Sequence, residues 1–551
     1  MTSNIRLKTW LEGNRGIVEQ ALKEITAKEI VARFWKQDYT IWKPSPQEIA
    51  NRLGWMTIAA EMGKEIATIS SLVDEVRNEG FENVLVLGMG GSSLAPELFA
   101  KTFTQPNPPF QVRILDSTDP DYIRFVESQL DIEKTLFIVA TKSGGTVETR
   151  SFFKYFYRQV RKFKHEEQAG NQFIAITDPG SKLIDLANRY QFRRIFLNNQ
   201  NIGGRYSALS FFGLVPAAFA GVDLAMLLEK ADNQAALAKI ESPIEDNPAV
   251  VLGAVIGELA KNGKDKLTII TSPELSNFGD WVEQLIAEST GKEGTGILPV
   301  VQEPMGEPGV YGNDRIFVFI TLGNSNLHQS IETLRQNRHP VVEISLQSLY
   351  DIGGLFFLWE FATAIAGYRL GINPFDQPNV ESAKILARRM VSVYLENGSL
   401  PAMDSHPVSA SVLKTFLARA KSGDYLAIQA FINPSAEARR VLNQVRVSLR
   451  NHYKLATTLG FGPRFLHSTG QYHKGGRANG IFIQITSSPI NDTPIPETAD
   501  SDQSGISFGT LKLAQALGDA QALKNANRHV LRLHTSNDEL SSLIRLADIS
   551  S

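Results

Sequence analysis

The chain has 551 residues, which at roughly 100 to 200 residues per domain leaves room for three or four domains and excludes a single small module. Hydrophobic residues at 43% and charged residues at 21% exclude disordered and fibrous classes. The 56 Lys and Arg against 58 Asp and Glu are too balanced for a whole-surface hold on nucleic acid or an anionic membrane, so any anion site is local. Zero cysteines remove disulfide frameworks, thiolate metal sites and cysteine nucleophiles together. The start, MTSNIRLKTWLEGN, carries no apolar signal core, and Gly213 to Leu228, interrupted by Pro216 and Asp223, falls short of the ~20 residues that span a bilayer. These features predict a cytoplasmic enzyme without a membrane or nucleic-acid partner.

In chain order, residues 1–77 show helical spacing of apolar positions, as in Ile17, Ala21, Leu22 and Ile25, and predict a helical N-terminal segment. From residue 78 strand-like and helical runs alternate. Strands are predicted at Asn83–Leu87, Val112–Leu115, Leu136–Ala140 and Phe173–Thr177, with a helix over Val147–Phe163. A second alternating set over 233–395 has strand candidates at Leu267–Thr271, Ile316–Thr321 and Val341–Ile344. Strand, loop and helix in rotation predict an α/β protein of two αβα sandwiches with parallel-rich sheets, over 78–232 and 233–395. Residues 396–551 predict a smaller α+β extension in the order βαββαβ, which suits a ferredoxin-like unit. Its Pro489–Gly505 stretch, rich in Pro, Asp, Ser and Thr, predicts an exposed loop.

Two loops carry phosphate-binding chemistry. NVLVLGMGGSSLAPELF predicts a strand, a glycine turn and a helix with Pro96 in its first turn, where free N–H groups and the helix dipole favour an anion beside Gly91, Ser92 and Ser93. It lacks the Gly-Lys-Ser/Thr of a nucleotide loop, and Ser93 takes the third-glycine position of the dinucleotide fingerprint. Asp116, ending the next strand, still imitates a ribose-binding acid, which keeps a nicotinamide enzyme as a rival. TLFIVATKSGGTVETRSFF repeats the arrangement with Thr141, Lys142, Ser143 and Thr146, a set that holds a phosphate monoester without transferring it. Two such loops on consecutive βα units sit where open α/β sheets bind ligands.

GMGGSSLAPE and TKSGGTVET, followed by NIGGRYSALS, EQLIAESTGKEGTG and GINPFDQPNVESAK, resemble the glucose-6-phosphate isomerase family, built from two sugar-isomerase (SIS) domains, over residues 80–395. The chain is similar above all to the isomerase portion of bacterial fused transaldolase and phosphoglucose isomerase proteins, without the transaldolase half. The resemblance implies interconversion of glucose 6-phosphate and fructose 6-phosphate without metal or organic cofactor, in a homodimer with active sites near the subunit interface. It implies Glu288 as the base that moves a proton between C1 and C2, with Gln284 binding substrate. It further implies Arg205 as the residue steadying the enediolate and Lys384 as a group assisting ring opening. From the residues themselves, Glu288 shares a helical face with Trp281, Gln284 and Leu285, where partial desolvation raises a carboxyl toward working pH.

One departure stands out. The family's ring-opening histidine ends a segment of the type GEPGTNGQH, and this chain has GEPGVYGND, ending at Asp314. The ring opener is therefore Asp314 itself or one of His339, His467 and His473, the last two packed with donors in FLHSTGQYHKGG. Two other readings stay open at this point, a dual glucose and mannose 6-phosphate isomerase and a phosphosugar sensor that binds without reacting.

Overall fold

The computed structural model describes residues 5–106, 108–402, 404–535 and 539–547. Strand β1 (Arg6–Trp10) precedes helix α1 (Arg15–Ala27), which buries Val18, Ala21, Leu22 and Ile25 at the spacing of one helical face. Helix α2 (Ile66–Asn78) does the same with Ile69, Leu72, Val73 and Val76. Residues 5–77 are thus largely helical as their periodicity predicts, β1 being an element that the pattern does not announce.

The first sheet is built from β2 (Asn83–Leu87), followed by helix α3 (Gly91–Thr102), then β3 (Gln111–Leu115), β4 (Thr135–Ala140), helix α4 (Val147–Val160), β5 (Phe173–Thr177) and β6 (Arg194–Leu197). Its order is β3-β2-β4-β5-β6 and all pairings are parallel. Every residue of β2, β4 and β5 is buried, which is why these strands read as unbroken apolar runs: helices cover both faces of the sheet. Helix α3 starts at Gly91, so Pro96 lies in its second turn and not in the first, and the Ser92 carbonyl four residues back loses its helical N–H partner.

The second sheet contains β7 (Lys266–Thr271), β8 (Leu298–Val301), β9 (Arg315–Leu322) and β10 (Val341–Leu346), with helix α5 (Phe278–Thr290) between β7 and β8. The order is β8-β7-β9-β10-β1; β1 closes the edge antiparallel to β10, and the rest is parallel. Helix α6 (Ile352–Leu370), long and apolar, is buried at the centre of the molecule against helices Leu224–Leu237 and Pro248–Lys261. Helix α7 (Val380–Asn397) then leads toward the C-terminal region.

That region departs from the ferredoxin-like unit its element order suggests. Strands β11 (His406–Pro407), β12 (Tyr425–Phe431), β13 (Ala456–Phe461), β14 (Gly480–Ser487) and β17 (His529–Thr535) form one sheet ordered β13-β12-β14-β17-β11, and every pairing is parallel. A ferredoxin-like sheet is antiparallel; here α8 (Ala436–Tyr453) and α9 (Phe508–Asn525) serve as crossover helices, and β12 and β14 are buried along their whole length. Once the edge strands β1 and β11 are set aside, the next four strands of the second and third sheets follow the same spatial order as β2–β5 of the first, second-first-third-fourth along the chain, and the chain is three αβα layers of one plan.

The Pro489–Gly505 stretch is also less exposed than its composition suggests. A short antiparallel ribbon, β15 (Pro494–Ile495) and β16 (Ile506–Ser507), brackets it, and Ile495 and Ala499 are buried in the core of the first sheet. Tyr190 donates to Asp500 at 3.0 Å. The third layer is fixed to the second through an apolar cluster in which Ala287, Leu298 and Val300 meet Tyr425, Tyr472 and Phe482, while α7 packs along α9.

Candidate active site

In a sheet ordered second-first-third-fourth, the connections leaving the neighbouring first and third strands run in opposite directions, and the crevice at the carboxyl ends of those two strands accepts ligands. Here those are β2 and β4, and the two hydroxyl-rich loops follow them. Gly90, at φ +57°, and Gly91 let the first loop touch its neighbours: a Cβ on Gly90 would come within 2.8 Å of Gln284 Nε2, and one on Gly91 within 1.9 Å of the Gly204 carbonyl. Gly91 and Ser92 line a cavity of about 790 Å³ together with Thr141, Lys142, Ser143 and Thr146.

Within this cradle the Thr141 and Thr146 hydroxyls lie 2.9 Å apart, and Ser143 Oγ accepts from the Gly145 N–H at 3.2 Å. Ser93, expected with them, is fully buried and turned back to donate to the Gly90 carbonyl at 3.1 Å, so it shapes the loop and does not face the cavity. Lys142 is held by Asp178 and donates to the Gln200 carbonyl at 3.2 Å, so its charge is already compensated. The anion end of the cavity consists of hydroxyls, backbone N–H groups and the start of α3.

Helix α5 crosses the opposite wall. Gln284 and Glu288, one turn apart, both face the cavity, and Gln284 Nε2 donates to Glu288 Oε2 at 3.4 Å. Burial pushes the Glu288 carboxyl above its usual range, partly opposed by the charges of Arg205, His467 and Lys384. Arg205 Nη1 stands 3.5 Å from Glu288 Oε2. Arg205 is 2% exposed and four of its five guanidinium N–H groups are engaged, which leaves one on Nη1: the side chain donates to Ser289 Oγ at 2.7 Å, Gln377 Oε1 at 2.5 Å, and the carbonyls of Pro374 at 2.8 Å and Asp376 at 3.0 Å. Lys292 clamps the same 373–376 segment through the Asn373 carbonyl at 2.8 Å and Asp376 Oδ1 at 2.6 Å, and burial brings its amine down to about 7. Lys384, in the second turn of α7, completes this side of the cavity.

The third layer supplies the remaining wall. His467, in the turn after β13, lines the cavity, and its Nε2 is 3.0 Å from Glu148 Oε1 on α4. Burial acts to raise the Glu148 carboxyl, but the His467 charge and hydrogen bond outweigh it and leave the group below its usual range. The next residue, Ser468, donates to Glu283 Oε1 at 3.0 Å, tying the turn to α5 one residue before Gln284. Arg464 bridges the layers through Glu97, Asp116 at 2.9 Å and Asp280 at 3.6 Å. Asp116, which imitated a ribose-binding acid, is therefore committed to an ion pair.

The other ring-opening candidates lie elsewhere. Asp314 stands just before β9, at the amino end of the sheet and away from the ligand edge, 3.4 Å from Lys266 Nζ. His339 packs edge-on against Phe317 and Tyr311 just before β10. His473 is buried between Tyr425 and Phe482, with its Nδ1 3.1 Å from the Tyr425 hydroxyl. Of the four, only His467 faces the cavity. Sequence reasoning passed over Glu148 and Gln377, although both lie inside the quoted TKSGGTVET and GINPFDQP motifs.

A hydroxyl-lined anion cradle, and beyond it a desolvated carboxylate facing an arginine, are the equipment of an aldose–ketose isomerase acting on a phosphorylated sugar. The family model for phosphoglucose isomerase matches residues 60–325. A probable glucose-6-phosphate isomerase of Methanococcus maripaludis is 32% identical over 360 residues, 57% of this chain and 80% of that protein. The glucose-6-phosphate isomerase of Parabacteroides distasonis is 28% identical, over 60% of this chain and 85% of that one. Among solved structures, a glucose-6-phosphate isomerase from Chlamydia trachomatis shares the fold with a TM-score of 0.62 at 20% identity, covering 76% of this chain and 92% of that chain. The chain belongs to the phosphoglucose isomerase family. The family model ends at residue 325, before Gln377, Lys384 and His467, so their place in the site rests on the geometry.

Proposed function

We infer that the chain interconverts glucose 6-phosphate and fructose 6-phosphate, with the roles of its site residues divided as follows. The phosphate sits against Ser92, Thr141, Ser143, Thr146 and the N–H groups at the start of α3, a cradle that fixes the sugar without polarising the phosphorus. His467, its Nε2 bound to the Glu148 carboxylate, donates a proton to the ring oxygen as the bond from that oxygen to the anomeric carbon breaks; the anomeric hydroxyl becomes the carbonyl and gives its proton to water, water recharges the imidazole, and Lys384 supports the opened chain. Glu288 then takes the proton from C2 of the aldose and returns it to C1, while the C2 hydroxyl proton passes to the C1 oxygen and leaves the ketone at C2. The charge that develops on the enediolate oxygens faces Arg205, whose position is set in advance by four hydrogen bonds. Glu288 must be ionised to accept a proton, yet basic enough to abstract one from carbon; burial opposed by Arg205 gives both.

The observation that carries this reading is the convergence of Glu288, Arg205, Lys384 and His467, drawn from three layers of the fold, on one cavity with the hydroxyl cradle. A pure phosphosugar sensor has no use for a desolvated base beside a buried arginine. The test is turnover of fructose 6-phosphate by the purified protein, with glucose 6-phosphate and mannose 6-phosphate followed in the same sample. Glucose 6-phosphate formation is expected; sugar-phosphate binding without turnover would favour the sensor, and a mannose signal would establish dual specificity.

A further inference from the structure

Helix α9 belongs to the third layer, yet it reaches into the catalytic wall of the first. Gln515 on α9 is 3% exposed, and its Nε2 donates to Glu148 Oε1 at 2.7 Å. That oxygen is the one 3.0 Å from His467 Nε2. The other end of the Gln515 amide accepts from the Thr118 hydroxyl at 2.9 Å. An ionised carboxylate only accepts hydrogen bonds, so Glu148 requires the NH2 end of the amide, and Thr118, donating to the carbonyl end, holds the amide that way round. One turn earlier on the same face, Lys512 Nζ pairs with Asp119 Oδ2 at 2.8 Å, fixing α9 against the segment that carries Thr118. The other flank of α9 packs along α7, the helix of Lys384.

We propose that Gln515, held by Thr118, is a positioning residue for ring opening: it fixes the Glu148 carboxylate and through it the His467 imidazole. A glutamate has three rotatable side-chain bonds, and a buried carboxylate with one partner fewer turns toward another donor or takes up a proton. Either response removes the acceptor that holds His467 Nε2 and stabilises the imidazolium, the role an orienting carboxylate plays beside a catalytic histidine. Gln515 stands behind Glu148 and does not line the cavity. The inference rests on the isomerase reading and extends it to a residue of the third layer, which is thereby part of the catalytic apparatus.

Ring opening has a readout of its own, because opening and reclosure exchange the α and β anomers of glucose 6-phosphate without any proton leaving carbon. In a Glu288→Gln background that exchange, followed by two-dimensional exchange NMR, isolates the step. His467→Ala sets the scale, with a loss of about a hundredfold expected for a positioned acid. Gln515→Met, which keeps volume and removes both hydrogen bonds, should slow anomer exchange about tenfold, and Thr118→Val about threefold, as expected for lost hydrogen bonds behind a charged group. Affinity for glucose 6-phosphate should stay within about twofold, since the phosphate cradle is untouched. Unchanged anomer exchange in Gln515→Met and Thr118→Val would overturn the proposal. So would a loss of affinity matching the loss of rate, which would make Gln515 a support of the pocket's shape. If the isomerase reading itself failed, the wild-type protein would not turn over fructose 6-phosphate, an outcome separate from either of these.

Discussion

Arg205 gives the sharpest single perturbation, because its charge and its geometry can be removed separately. Arg205→Lys keeps a positive charge but replaces a planar fork bonded to Ser289, Gln377, Pro374 and Asp376 with a single ammonium. If two of those buried acceptors are left unpaired, at about 1–3 kcal/mol each, the fold loses about 2–6 kcal/mol. Arg205→Met removes the charge as well. Loss of a preorganised donor at a developing oxyanion lowers kcat by about 10²- to 10³-fold. Arg205 is also the leading influence that holds the Glu288 carboxyl down against burial. Without it the carboxyl rises further, and because the base must be ionised, the acid limb of kcat/KM moves to higher pH. Arg205→Lys should show the lost rate with a smaller movement of that limb. The assay is the pH profile of fructose 6-phosphate turnover for wild type and both variants. An Arg205→Met enzyme with an unmoved acid limb, or with kcat within about threefold of wild type, would refute the reasoning.

Two further outcomes follow from particular residues. Ser92→Ala combined with Thr146→Ala should raise KM by about tenfold or more with little change in kcat, since two donors to a charged group are lost from a site used equally by substrate and transition state; steady-state kinetics checks it. Glu360, on α6, is fully buried, neither carboxyl oxygen has a hydrogen-bond partner among the described residues, and burial raises the carboxyl well above 4.5. A raised folded-state value means that stability is complete below the unfolded value near 4.5 and is lost as pH rises above it. Glu360→Met should therefore stabilise the fold by about 1–3 kcal/mol, with a larger gain at pH 8 than at pH 5 in chemical denaturation, whereas a destabilised variant would show that the carboxyl is satisfied.

Much of the first layer was legible in the sequence. Strands such as NVLVL and TLFIVA are buried on both faces and so read as unbroken apolar runs, and glycines followed by serines and threonines mark the turns where a ligand meets backbone. Glu288, Gln284 and Arg205 were visible through their motifs, and the helical spacing correctly places Gln284 beside Glu288. What stayed hidden depends on long-range pairing. The order βαββαβ does not state whether neighbouring strands run parallel, and the third sheet could not be told from a ferredoxin-like one until β12 was seen between β13 and β14. The GEPGVYGND segment points to Asp314, whereas the fold leaves it at the amino end of β9. His467 could not be separated from His473 by sequence, because the two lie six positions apart in one donor-rich segment and only the fold sends one to the cavity and the other into an aromatic cluster. Gln515 gave no signal at all: its meaning lies in contacts with Thr118 and Glu148, 397 and 367 residues away.

The central claim, that Glu288 is the base in a site closed by three layers of one chain, is tested most directly by Glu288→Gln in deuterated water. Wild-type enzyme should convert fructose 6-phosphate to glucose 6-phosphate and introduce deuterium at C2. The variant, which keeps the size of the side chain and its neighbours, should bind the sugar phosphate and still exchange the anomers of glucose 6-phosphate, while turnover and C2 labelling fall by about 10²- to 10⁴-fold. C2 labelling at the wild-type rate in the variant would contradict the account and assign proton transfer to another group.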